Sequence, residues 1–218
     1  MAQTRSDLPA AEGGRNLMDW LQVNSRLLGA AGAIVAVALA GYWFYSRSRQ
    51  IKMVNAERSL ALAQQSLGSG NTNLALSDLQ KVAERYQGTA AGTEAALLLA
   101  QQYYEQGKFQ QGITQLEKAL PRAGSSQASV QNLIGDGYAQ MGKLTDAANA
   151  YEHAADASAY PSEKAYYRAK AARSYASGGN VASAKKLWNE LAKSGDSPSV
   201  AAEAKVRLAE LTAQAAGT

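Results

Sequence analysis

The sequence predicts an all-α chain: one apolar helix near the N-terminus, then a stack of about four helical hairpins closed by a capping helix. Three observations carry this. Residues 27–45 form a 19-residue stretch without a charge. Gly70, Gly107, Gly142 and Gly179 recur 37, 35 and 37 residues apart, each between runs with apolar residues at three- and four-residue steps. Alanine dominates, phenylalanine occurs only twice and β-branched residues are sparse, a composition that favours helix.

The repeating unit is plainest at residues 93–123, TEAALLLAQQYYEQGKFQQGITQLEKALPRA. Ala96, Leu99, Ala100, Tyr103 and Tyr104 mark one apolar helix face, which Gly107 breaks. A second face runs through Phe109, Gly112, Ile113, Leu116, Ala119 and Leu120 until Pro121 stops it, lacking an N–H and clashing inside a helix. Five residues after each turn glycine stands a small residue: Ala75, Gly112, Ala147 and Ala184. Four further on comes a bulky one: Leu79, Leu116, Tyr151 and Trp188. Ahead of the glycines lie Ala63, Ala100, Gly135 and Ala172, followed by Tyr103, Tyr138 and Tyr175 in three of the four copies and by Ser66 in the first. Small residues let two helix backbones approach closely, and the aromatic fills the gap beside them. This order of glycine, alanine and aromatic resembles the tetratricopeptide repeat family, over roughly residues 49–213. The resemblance implies a right-handed α-solenoid.

Taken in order, residues 1–25 read as a polar tail followed by a short interfacial segment, with Leu17, Trp20 and Leu21 at helical spacing. An interfacial helix and a simple extension of the next helix are equally open. Residues 26–46 read as a transmembrane helix. At 1.5 Å per residue, the uncharged stretch reaches about 28 Å, close to a hydrocarbon core of roughly 30 Å. Leu27 and Leu28 open it; Tyr42, Trp43 and Tyr45 close it as an aromatic belt, and Arg47 and Arg49 follow as a basic stop. Ala38-Leu39-Ala40 before Gly41 has the form of a signal-peptidase site. The long polar lead and the continuation of the apolar run past it argue for retention.

Residues 47–198 hold the four repeats, about 53–88, 89–124, 125–161 and 162–198, and residues 199–218 the capping helix and tail. Residues 48–67 are expected to run on from the span as one helix, with Val54, Ala61 and Leu62 facing the first repeat. From Met53 onward, 16 Lys and Arg meet 15 Asp and Glu. Of the net charge of +4, only +1 therefore lies beyond residue 52, and a nucleic-acid footprint is not supported.

Orientation is contested within the sequence. Arg15 and Arg26 precede the span, whereas Arg47, Arg49, Lys52 and Arg58 follow it, which by the positive-inside rule places the repeats in the cytoplasm. A different expectation comes from Gly41-Tyr42-Trp43, Tyr86-Gln87-Gly88-Thr89, Leu97 to Gln102 and Gly107-Lys108-Phe109. With the layout of one span and four repeats, these resemble the YfgM family of ancillary Sec translocon subunits. The resemblance implies a bacterial inner-membrane protein with a periplasmic repeat domain and a translocon-linked chaperone or adaptor role. The alternative is a structural or assembly subunit of an integral-membrane energy-converting complex, photosynthetic or respiratory.

The residues offer little chemistry. With no cysteine there are no disulfides or thiolate metal sites. His153 is the only histidine, and with Glu152 and Asp156 beside it reads as a solvated helix face. No phosphate loop and no nucleophile elbow occurs. We therefore expect no catalytic, metal or cofactor site, no small-molecule substrate, and function through protein partners. In tetratricopeptide repeats the first helices line a binding groove. Aligned by the turn glycines, that groove would carry Gln64, Glu94, Leu97, Gln101, Tyr104, Asn132, Asp136, Gln140, Tyr166 and Arg173. Tyr104 and Tyr166 are expected to be partly exposed, and Tyr103, Tyr138 and Tyr175 buried. A second candidate surface is the basic run Lys164, Arg168, Lys170, Arg173, Lys185, Lys186 and Lys193, either solvated or facing an acidic partner or lipid headgroups.

Overall fold

The computed structural model describes Trp20 and residues 22–216. The expected polar tail, with Leu17 and Leu21, lies outside the described residues, as do the side chains of Leu27 and Leu28. The described residues form helices joined by short linkers, with no strand among them. The chain divides into two units, Met1–Ile51 and Lys52–Thr218.

Helix α1 (Ser25–Gly68) supplies most of the described part of the first unit and continues into the second. Within the first unit its described apolar side chains stand in the open: Ile34, Val37, Tyr42, Trp43 and Phe44 are each about 70% exposed. The Arg49 guanidinium lies 5.6 Å from the centre of the Tyr45 ring, a cation–π contact at the aromatic end of the uncharged stretch. This is the one helix among the described residues that is long and apolar enough to cross a membrane.

The second unit pairs α1 with α2 (Thr72–Arg85), α3 (Ala90–Glu105) with α4 (Phe109–Ala119), α5 (Gln127–Gln140) with α6 (Leu144–Ala157), and α7 (Pro161–Ser177) with α8 (Val181–Lys193). Helix α9 (Pro198–Ala216) closes the series against α8. The four turn glycines all take left-handed backbone, at φ 77°, 71°, 72° and 80°, which a side chain would strain. Each turn closes with the same hydrogen bond. The N–H after the glycine donates to the carbonyl four residues before it: Asn71 to Ser66, Lys108 to Tyr103, Lys143 to Tyr138 and Asn180 to Tyr175. So the position that is tyrosine in three repeats also anchors the turn. In the first and last turns, the asparagine that donates this bond uses its side chain to cap the following helix, accepting from the N–H of Leu74 and of Ser183. Lys108 and Lys143, in the same place, cap nothing.

The core lies along the stack where small residues let helices close. Ala63, Ala100 and Ala172 are fully buried, as are Ala75, Ala147 and Ala184 from the second helices, with Leu79, Leu116, Tyr151 and Trp188 filling between them. The phase of α1 differs from expectation. It buries Ala56 and Ala63 and half-buries Leu60 and Leu67, whereas Val54 and Leu62 are 63% and 57% exposed and Ala61 is exposed too. At 100° per residue Val54 lies opposite Ala63, so one helix cannot turn both inward.

Candidate binding face of the first helices

The groove expected on α1, α3, α5 and α7 is only partly a free surface. Gln64, Glu94, Gln101 and Gln140 are exposed. Leu97 is half-buried and packs against the core cluster of Ala100, Ile113 and Val130. Tyr104 does not point into the open. Its ring lies where side chains at Gly112 and Gly137 would be, with ring atoms 2.4 Å and 2.7 Å from where a Cβ would sit. Its hydroxyl donates to the Leu133 carbonyl at 3.0 Å. Burial, with Asp136 nearby, pushes the phenol's pKa well above its ordinary value. Tyr103 is half-buried as well, against the Leu79 and Leu99 cluster, so the expected contrast between the two tyrosines does not hold. Each packs toward a different neighbouring hairpin. Tyr138 is half-buried and Tyr175 buried.

Where α5, α6 and α7 meet, four polar side chains converge on Lys170. Its ammonium donates to Asn132 Oδ1 and to Asp136 Oδ1, both at 2.5 Å. The Tyr151 hydroxyl donates to the same Asp136 oxygen at 2.6 Å, and the ammonium stands 4.4 Å from the Tyr151 ring centre and 5.8 Å from that of Tyr166. Tyr151 is buried, and burial together with the bond to Asp136 holds its phenol strongly neutral. Tyr166 is 51% exposed and stacks edge-on against Tyr167 at 5.6 Å. Asn132, Asp136 and Tyr166 are therefore brought together, around a lysine of the basic run.

That basic run is not one surface. Lys170 turns to α5, Arg168 approaches Asp156 at 4.0 Å, and Arg173 forms a two-pronged pair with Glu203 of α9 at 2.8 and 2.6 Å. The Arg173 bond holds the Glu203 carboxyl below its usual range, and Arg207 adds a longer contact at 3.7 Å. Arg173 thus fastens the capping helix, which removes it from the groove.

Residues 18–129, just over half of the chain, match the model of the tetratricopeptide repeat-like domain. The chain belongs to this family. Among solved structures, it is similar to a putative kinesin light chain of Podosopora anserina with nearly identical TPR-like repeats, at a TM-score of 0.53 and 20% identity over 75% of this chain and 87% of that one. It is also similar to BtubC (BKLC) from P. vanneervenii, at 0.51 and 16% over 62% and 61% of the two chains. MamA stands at 0.50 and 17% over 72% and 86%. At these identities the likeness is one of fold. No curated protein matches the chain.

The tetratricopeptide-like stack also holds a cleft of about 250 Å³ on its second-helix side, where exposed His153 stands with Glu117, Asp146 and Asn149. Among the described residues no three His, Cys, Asp or Glu side chains are placed to hold a metal ion.

Proposed function

We propose that this tetratricopeptide-like protein is a membrane-anchored protein–protein interaction module, held in a bacterial inner membrane by residues 27–45 and binding partner segments on its first-helix face. The observation that carries the binding reading is Tyr166, a half-exposed aromatic beside the Asn132, Asp136 and Lys170 cluster. Aromatic rings with fixed polar neighbours give contact area and hydrogen bonding at low entropic cost. Members of this fold generally act as scaffolds, and a non-catalytic role is our reading here. The anchor reading draws on the open apolar side chains of α1, which make a patch far larger than a soluble monomer keeps in water. It also draws on the family match, which begins at residue 18, ahead of that stretch. The YfgM resemblance extends this to a translocon-linked chaperone or adaptor with periplasmic repeats.

The binding test uses Tyr166→Ala, with Lys186→Ala on α8 as control. Loss of crosslinked partners in the first variant alone, at unchanged thermal midpoint, supports the face; equal recovery from both discards it. Protease digestion of the repeats in spheroplasts places the domain in the periplasm, and protection places it in the cytoplasm.

A further inference from the structure

Among the described residues, the first hairpin lacks a neighbour that every later hairpin has. Eight residues before each turn glycine stand Leu62, Leu99, Ile134 and Ala171. The last three are 0%, 4% and 0% exposed, whereas Leu62 is 57% exposed. What covers them is the second helix of the preceding hairpin. Leu99 clusters with Leu79 and Val82 of α2, Ile134 with Ile113 and Leu116 of α4, and Ala171 with Ala147 and Ala148 of α6. Twelve residues before the glycine, Ala95 and Val130 are fully buried, but the first hairpin has the exposed Arg58. The other end of the stack is closed by α9, with Leu208 and Leu211 packed against the core. The face of α1 around Leu62 therefore has the register of a covered surface and, among the described residues, no cover.

Its chemistry specifies the cover. A cleft of about 250 Å³ between α1 and α2 opens beside Leu62, with Ser59, Val82 and Tyr86 in its lining. Lys81 and Arg85 line it against a single lining acid, Asp78, which Lys81 already engages at 3.0 Å, and exposed Arg58 lies one helical turn before Leu62. A second copy docking symmetrically would set these cations against themselves. The outward side of a second copy's α9 offers exposed Lys205 and Val206, again without a carboxylate for Arg58, since Glu203 and Glu210 are held by Arg173 and Arg207. We infer that the open α1–α2 face is the docking site for an amphipathic helix of a protein partner, one with an apolar ridge to cover Leu62 and flanking carboxylates to meet Arg58, Lys81 and Arg85. That helix takes the place of a missing second helix. The inference is independent of the first-helix groove.

The test is fluorescence anisotropy with the full chain in zwitterionic nanodiscs, empty discs serving as blank. The probe is a labelled amphipathic peptide of about 18 residues, five helical turns, with a leucine and alanine ridge flanked by glutamates; its twin carries lysines instead. The wild type is expected to bind the glutamate peptide over the lysine peptide. Leu62→Glu is expected to weaken this by about tenfold or more, and Arg58→Glu combined with Arg85→Glu to reverse the preference between the peptides. Leu62, Arg58 and Arg85 are exposed, so these variants retain the fold; should Leu62→Glu lower the thermal midpoint, the reversal by the charge variant decides alone. Equal binding of both peptides, or binding indifferent to both variants, overturns the inference. So does a concentration-dependent dimer abolished by Leu62→Glu, which makes a second copy the occupant. Hydrogen-exchange protection of residues 52–68 by anionic lipid without peptide overturns it in favour of a membrane surface.

Discussion

Glycine does two separate jobs in this chain. At Gly70, Gly107, Gly142 and Gly179 it permits a left-handed turn, but at Gly135 it makes room. A Cβ there would sit 2.5 Å from the Tyr151 ring, and the ring cannot retreat because its hydroxyl is fixed to Asp136. Gly135→Leu is expected to cost about 1–3 kcal/mol by overpacking, and the same change at half-buried Gln131 much less; thermal melts of the two variants compare them. Lys108 offers the opposite case. It occupies the position where Asn71 and Asn180 cap a helix, so Lys108→Asn is expected to stabilise by about 1 kcal/mol, read from chemical denaturation. The small and bulky positions were legible in the sequence because the glycine spacing fixes their phase. Tyr103 and Tyr104 were not, because both are bulky, adjacent and able to pack. Only the glycines at 112 and 137, which leave room for one ring, decide that Tyr104 turns inward.

At the scale of elements, α9 joins its apolar packing to one polar link. Arg173 draws the Glu203 carboxyl below its ordinary value, so the folded state favours the ionised acid. The stabilisation is complete above the usual glutamate range, about 4.3, and disappears as pH falls through the lowered folded value. Trp188, 1% exposed, lies in the cleft of about 370 Å³ that Arg173, Arg207 and Leu211 line beside α9. In a Trp20→Phe, Trp43→Phe background its emission is expected to shift to the red on acidification, and Glu203→Gln to remove that pH dependence. The sequence placed α9 as a cap from its apolar spacing, yet could not pair Arg173 with an acid thirty residues away. Helix α1 was misphased for a related reason. Its apolar residues are spread around the helix, and only Ala63, tied to the repeat, marks the inner side.

At the scale of the molecule, the two connections in each repeat differ in kind. Within hairpins the linkers are 69–71, 106–108, 141–143 and 178–180, three residues every time. Between successive hairpins, and before α9, they are 86–89, 120–126, 158–160 and 194–197, which vary from three to seven residues. The inner turns have no slack, because the residue whose N–H closes one helix also opens the next. Changes of length are therefore expected to be tolerated at the outer joints and not at the inner turns. A short flexible tag inserted after Gly124 is expected to leave the thermal midpoint nearly unchanged, whereas the same tag after Gly107 collapses it. A hairpin thus behaves as an indivisible brick and the joints as mortar, so chains of this build can lengthen by whole bricks while the bricks themselves keep their dimensions.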